Sequence, residues 1–434
     1  MSDTGLARER QSEVRQKALR EELHELLDVV GPAQLVDLLL ERAYQLHTTD
    51  IHLDPQEAGL RVRVRVDGLL HDVLSVPPEL APQMISRVKL MANMNITEKR
   101  LAQDGHISKQ FLEQQRDVRV GSGPTSFGER LVLRLMPDSR RFRRLEELGL
   151  DSDQTDQLRS YLRLPYGMIL AAGPVGSGKS TTMYNCLELV NDETKSLVTI
   201  EDPIERRIFG VNQIQVDQRI GFGFVEALRG VLRQDPNVVM IGEIRDPETA
   251  HIGVRAARTG MLVLSTLHAN DAAAAFDVFR DFHVPTMLLA ETLQLVLSQR
   301  LLRTVCRHCK TDVPADPAAR EILGLDPHDA TEVRLARGRG CDACFQTGYL
   351  GRTGVFELIA VDDDLKHGLY AGLPRGELVK IARAKGMRSL VAAATRKVLD
   401  GVTTVEEMTR VLLVDPVSGP PNEKGPGDGV GGIH

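Results

Sequence analysis

Gly173-Pro174-Val175-Gly176-Ser177-Gly178-Lys179-Ser180 constrains this chain more than any other stretch. It fits G-x-x-x-x-G-K-[ST] without a gap. The pattern works only where a buried strand hands over to a helix, and both neighbours comply. Residues 168–172 are a short apolar run, as a buried parallel strand requires. From Thr181 to Val190 the chain reads as a helix whose N-terminus faces the loop. The glycines let backbone N–H groups turn inward around a β-phosphate. Lys179 then reaches the β/γ-phosphates, and the Ser180 hydroxyl ligates Mg²⁺. Gly173 through Thr181 is the expected nucleotide site, with ATP and Mg²⁺ as its ligands.

The rest of the chain is organised around that loop. Apolar strands at 168–172, 197–200, 238–241 and 262–267 alternate with helices, a rhythm that specifies a parallel sheet with crossover helices. A helix is predicted over 285–304. Upstream, Leu60-Arg61-Val62-Arg63-Val64-Arg65-Val66 alternates strictly and runs into the hairpin turn Asp67-Gly68. Helices are expected near 33–46 and 79–94, with further strands near 116–120 and 130–135. The expected architecture is therefore α/β: a nucleotide-binding domain over 155–414 and a smaller α+β domain over 31–138. Residues 139–154 are expected to link the two. A charged arm, 1–30, carries Leu19, Leu23, Leu26, Leu27 and Val30 at helical spacing, which suits docking on a partner or packing on the next domain. The Gly- and Pro-rich segment 415–434 is expected to be disordered.

Composition narrows the function. No apolar run approaches the roughly 18–20 residues of a membrane span, and residues 1–30 lack the apolar stretch of a signal peptide. The expectation is a cytoplasmic protein. A formal net charge of -6, no Trp and 4% aromatics argue against a dedicated nucleic-acid binder.

Three further strand ends carry polar groups toward the same edge, because ligands of open α/β sheets bind beyond the carboxyl ends of strands. Val198-Thr199-Ile200-Glu201-Asp202-Pro203 ends in two carboxylates; Glu201 suits orienting or deprotonating an attacking water, though Asp-Pro is also an ordinary turn. Val238-Val239-Met240-Ile241-Gly242-Glu243 has the form of a Walker-B strand, with Glu243 holding Mg²⁺ through water. The strand 262–267 delivers His268, a γ-phosphate sensor or simply a satisfied polar residue. Phosphoryl transfer needs positive charge beyond Lys179. Arg229 and Arg233, four apart on a predicted helix, are candidates, as are arginines of the first domain acting across a subunit boundary. The Arg61/Arg63/Arg65 face fits that role or a solvated strand face equally.

Cys306-Arg307-His308-Cys309 and Cys341-Asp342-Ala343-Cys344 supply four thiolates, a donor set for tetrahedral Zn²⁺. Four protein ligands close such a site, so it is structural. The long gap between the pairs calls for a small zinc subdomain, expected at about 303–350.

Together these residues resemble the secretion ATPases of type II secretion and type IV pilus assembly systems, over about residues 33–413. Thr49-Asp50-Ile51-His52-Leu53-Asp54-Pro55 is similar to the family's S-D-I-H-L-E-P, and 96–105 to its I-T-E-K-R-L-P-Q-D-G. Residues 199–205 resemble its aspartate box, 232–246 its Walker B region, and 265–271 its histidine box. The tetracysteine module resembles that of assembly-type members; retraction-type motors generally lack it. The resemblance implies a RecA-like domain in a homohexamer, with each nucleotide between one subunit's RecA-like domain and an adjacent N-terminal domain. By motif, Arg119 and Arg134 match the arginines that reach the phosphates, and Arg229 and Arg233 a pair on the RecA-like side. It further implies inner-membrane platform proteins and pilin or pseudopilin assembly machinery as partners, at the cytoplasmic face of the inner membrane. Two rival readings are a DNA-translocating RecA-like motor and a nucleotide-gated scaffold without turnover.

Overall fold

The structure, a computed structural model, describes residues 22–413 apart from 28, 112–113, 137–143 and 328–330. Two sheets organise it. The first has six antiparallel strands: β1 (Asp50–Gln56), β2 (Gly59–Val66), β3 (Leu69–Val76), β4 (Gln103–Phe111), β5 (Gln114–Thr125) and β6 (Gly128–Leu135), in the order β3-β2-β1-β6-β5-β4. The alternation in β2 sets its faces. Leu60, Val62, Val64 and Val66 are buried, and the helices Pro32–Gln45 and Ala81–Met91 cover them with Leu35, Leu39, Met84 and Val88. Leu23, in the short helical segment 22–27, joins this core, and Glu22 pairs with Arg42 at 2.6 Å. Of the two uses open to the charged arm, its described part packs on the next domain; residues 1–21 lie outside the described residues.

The polar face of this sheet is a lattice of ion pairs. Asp54 accepts from Arg63 and Arg130, each at 2.7 Å, and Asp50 pairs with Arg65 and Arg134 at 3.3 and 3.1 Å. The register explains the pattern. Arg119, Arg134, Asp50 and Arg65 stand directly opposite one another across β5, β6, β1 and β2, in one row. Like charges on such a row repel, and Asp50, between Arg134 and Arg65, offsets that.

The second sheet has seven strands in the order β15-β12-β7-β11-β10-β8-β9. These are β7 (Gly167–Ala172), β8 (Leu197–Glu201), β9 (Asn212–Gln215), β10 (Val238–Ile241), β11 (Leu262–Leu267), β12 (Leu293–Val305) and β15 (Tyr349–Ala360). All neighbours are parallel except β12 and β15. Helices cover both faces, which is why β7, β8, β10 and β11 are apolar without alternation.

The helix expected over 285–304 is mostly wrong. Only Thr286–Thr292 is helical, and the next 13 residues are β12. β12 is buried on both faces, so its apolar positions run together much as in a buried helix, and periodicity alone cannot separate the two. Pairing with β7 on one side and β15 on the other decides it. Of the segment 139–154, residues 144–154 are packed, with Leu145, Leu148 and Leu150 buried in the second sheet's core. A small two-stranded sheet, β13 (Lys310–Pro314) with β14 (Arg334–Gly338), fills the interval between the cysteine pairs. Residues 415–434 lie outside the described residues. Among the described residues no helix is long and apolar enough to cross a membrane.

Candidate nucleotide site and metal centre

The four motif strands β7, β11, β10 and β8 are neighbours in that order, so their carboxyl ends deliver the phosphate loop, His268, Glu243 and Glu201 to one edge. The loop turns on left-handed glycines, Gly176 at φ 78° and Gly178 at φ 91°, conformations that side chains resist. Gly178 is the N-cap of helix Lys179–Val190, and no side chain caps that helix. Its first N–H groups are left to an anion. Lys179 folds back over the loop, donating to the carbonyls of Gly173 at 2.8 Å and Pro174 at 3.0 Å. The buried Ser177 hydroxyl has no partner among the described residues. A cradle of N–H groups, a lysine spanning the loop and an orphaned hydroxyl fit a polyphosphate. Burial lowers the Lys179 pKa, with Glu243 opposing and Arg300 assisting.

Glu243 lies beside this loop. Arg245 donates to its Oε1, and His268 Nε2 stands 3.2 Å from its Oε2. Burial works to raise the Glu243 pKa; Arg245 and His268 outweigh it and hold the carboxyl below the usual range. The carboxylate is 15% exposed, which leaves it open to a cation or water. Ser180 and Glu243 are the residues that would hold Mg²⁺ here.

Glu201 is used differently. Its carboxylate accepts hydrogen bonds from Tyr184, Thr199 and, at 3.1 Å, Gln213. Tyr184, on the helix that follows the phosphate loop, also accepts the Glu205 N–H at 3.1 Å. Tyr184 thus staples the aspartate box to that helix, a link the sequence pattern does not mark. Burial pushes the Tyr184 phenol well above its usual range, and Glu201 adds to the effect.

The predicted cations divide. Arg119 donates to the Ile204 carbonyl at 3.3 Å, within its own chain. Burial lowers its pKa, with Glu205 and Asp202 opposing and Arg134 assisting. Arg119 thus touches the aspartate box of its own chain, and Arg134 stands opposite Arg119 across β5 and β6. Desolvation raises the Glu205 pKa, with Arg119 opposing. Arg229 instead pairs with Glu248 on an exposed surface. Its helix, Phe224–Val231, ends before Arg233, so the two are not four apart on one helical face as expected. Arg233 is exposed in the following turn.

The cysteines converge as the spacing implies. The sulfurs of Cys306, Cys309, Cys341 and Cys344 all lie within 4.8 Å of one another. Cys306–Cys341, Cys309–Cys344 and Cys341–Cys344 are 3.8, 3.9 and 3.7 Å apart. A tetrahedron of thiolates at ~2.3 Å from zinc has sulfur–sulfur edges of about 3.8 Å. Burial would raise the Cys344 thiol, but the N–H groups of Cys341 and Gly348, both donating at 3.2 Å, hold it below its usual range. The four sulfurs, with backbone N–H groups donating to Cys344, fit Zn²⁺.

A family model described as Type II/IV secretion system protein matches residues 28–410. Type II secretion system protein E of Pseudomonas aeruginosa is 43% identical over 391 residues, which are 90% of this chain and 77% of that protein. Type II secretion system ATPase E of Vibrio cholerae is 41% identical, across 90% and 77%. The type IV pilus assembly ATPase PilB of Thermus thermophilus is also 41% identical, over 88% of this chain but only 43% of its own length. Among solved structures, the pilus retraction motor PilT with bound ADP superposes with a TM-score of 0.60 at 25% identity, over 88% of this chain and 97% of that one.

Proposed function

The chain belongs to the family of type II/IV secretion system proteins, and on that premise we propose that it is an ATP-hydrolysing motor. It powers protein secretion or the assembly of pilin-like filaments. In this reading it works as a homohexamer on the cytoplasmic face of the inner membrane, against platform proteins there. The observation that carries the reading is the convergence of Lys179, Glu243 and His268 at the ends of three adjacent parallel strands.

The residues divide the work by their surroundings. The loop Gly173–Thr181 binds the phosphates through backbone N–H groups and Lys179. Ser180 and Glu243 would hold Mg²⁺, which would supply charge neutralisation on the phosphate oxygens. Glu243 keeps its charge at neutral pH and orients the attacking water. His268, hydrogen-bonded to Glu243, registers whether the γ-phosphate is present. Glu201, with its carboxylate occupied by three donors, holds the aspartate box in place, so water activation falls to Glu243. Arg119 and Arg134 bring positive charge from the N-terminal domain, and Arg229 and Arg233 remain available at the exposed surface for an adjoining subunit. Zinc at Cys306, Cys309, Cys341 and Cys344 is structural. Replacing Lys179 by Ala tests the reading, because turnover in a steady-state phosphate-release assay should vanish. Turnover at the wild-type rate would overturn it.

A further inference from the structure

We infer that Gln299 is a positioning residue of the nucleotide site, setting the conformation of the phosphate loop from the neighbouring strand. The inference rests on the nucleotide-binding reading above and deepens it. β12 runs parallel to β7 with Ser298 opposite Ala172. The next residue, Gln299, therefore stands level with Gly173, where β7 ends and the loop begins. It is 1% exposed. Its amide makes two hydrogen bonds to two parts of the site: Nε2 donates to the Ser177 carbonyl at 2.6 Å, and Oε1 accepts from the Thr182 hydroxyl at 2.8 Å. One side chain thus ties the loop to the first turn of the helix behind it.

Two of the loop's glycines answer to the same residue. A Cβ at Gly173 would meet the Ser177 hydroxyl at 2.5 Å and the Gln299 backbone carbonyl at 2.8 Å, and one at Gly178 would meet the Gln299 Nε2 at 2.9 Å. Both glycines also take positive φ values, 154° and 91°, that side chains resist, so the loop fits against Gln299 with glycine at each position. The uncharged amide donates on one side and accepts on the other. A carboxylate would face the Ser177 carbonyl with no proton to give, and a thioether would leave both groups unpaired. A loop held with its N–H groups already inward costs less to order around a phosphate.

Gln299→Met and Gln299→Glu test this in the full-length protein, with Thr182→Val as the milder variant. Fluorescent ADP binding and steady-state ATP hydrolysis are measured beside melting temperature and zinc content. Gln299→Met should weaken ADP binding and raise KM roughly tenfold or more, with a smaller loss in kcat and an unchanged zinc content. Gln299→Glu should be weaker still, since it adds a negative charge beside the phosphates. Thr182→Val should cost less, and should add nothing in the Gln299→Met background, where its partner is already gone. ADP binding by Gln299→Met or Thr182→Val indistinguishable from wild type would overturn the inference while leaving the nucleotide reading intact. Failure of the wild type itself to bind ADP would instead remove the reading on which it rests.

Discussion

The Asp67 carboxylate accepts the Gly351 backbone N–H at 2.6 Å, joining the N-terminal sheet to the start of β15 in the second. Asp67 heads the β2–β3 hairpin turn and also faces Arg352 at 3.5 Å. Nearby, His71 of β3 stacks on Phe345 with ring centroids 4.7 Å apart. Phe345 and Gln346 follow directly on Cys344 and take left-handed φ values of 51° and 61°. The shape of the cysteine knuckle therefore sets the surface against which the N-terminal hairpin rests. The tetracysteine cluster and the domain that carries Arg119 are in contact through these residues, although they are far apart in sequence.

Replacing Asp67 by Ala should loosen this contact. A partly buried hydrogen bond to a charged group contributes about 2 kcal/mol, enough to shift the balance between docked and undocked N-terminal domains. A donor–acceptor dye pair, one dye on each sheet, should report a longer or broader separation, and ATP turnover should fall with it. An unchanged dye separation would show that the hairpin is held elsewhere.

Removing zinc should have the same mechanical consequence. Stripping the metal with a chelator, or substituting Cys341→Ser, leaves thiols that no longer fix the knuckle carrying Phe345. Metal analysis should find one zinc per chain in the untreated protein. The dye separation should move in the same direction as in Asp67→Ala. A metal-free protein with the native separation would break the connection.

Much of the site is legible in the sequence because its motifs are local. Gly173–Ser180, Glu243 and His268 each lie within a few residues of a strand end, and parallel strands carry such ends to one edge wherever the chain returns. The four cysteines are legible for a similar reason, since each pair is a local knuckle. What escapes depends on pairing across long separations. Gln299 reaches the phosphate loop only because β12 is a strand beside β7, and the apolar run 293–305 does not distinguish strand from helix. Tyr184 looks like an ordinary helical aromatic until Glu201 is found against it. The cis approach of Arg119 is invisible in sequence, because it depends on how two domains rest together.

The buried pair Lys89–Glu129 offers a test of stability. Its groups are 2.6 Å apart and the side chains are 1% and 5% exposed; Lys89 also donates to the Glu98 carbonyl at 2.6 Å. Lys89→Met should leave Glu129 buried without its partner and cost roughly 3–5 kcal/mol. Replacing both by apolar residues of similar size should recover much of that loss, because neither charge then needs hydration. Denaturant titration of the single and double variants measures both, and equal destabilisation of the two would contradict the argument.

Glu243 gives the pH dependence. Its carboxyl is held below the usual range because Arg245 and His268 outweigh burial. It therefore stays ionised as pH falls into weak acid, and activity should persist there. Arg245→Gln removes the largest influence lowering it and lets burial dominate, so the pKa should rise. The acid limb of the kcat/KM profile for ATP should move to higher pH, with the alkaline limb in place. Superimposable acid limbs would mean that Glu243 does not govern that titration.

The placement of Arg119 leads to a subunit-mixing experiment. Arg119 touches the aspartate box of its own chain at the Ile204 carbonyl and faces Glu205 and Asp202 there. Arginines that stabilise phosphoryl transfer are worth about 10³-fold or more in kcat, so Arg119→Ala should lower turnover steeply while leaving ADP binding largely intact. Two inactive variants, Arg119→Ala and Lys179→Ala, can then be mixed and allowed to exchange subunits. If Arg119 serves the site of its own chain, every site in a mixed ring lacks one group or the other, and the mixture stays inactive. If it serves a neighbour, some sites combine an intact Lys179 from one chain with an intact Arg119 from the next, and part of the turnover returns. The contact with Ile204 predicts the first outcome, and recovery of activity on mixing would place the arginine across the subunit boundary instead.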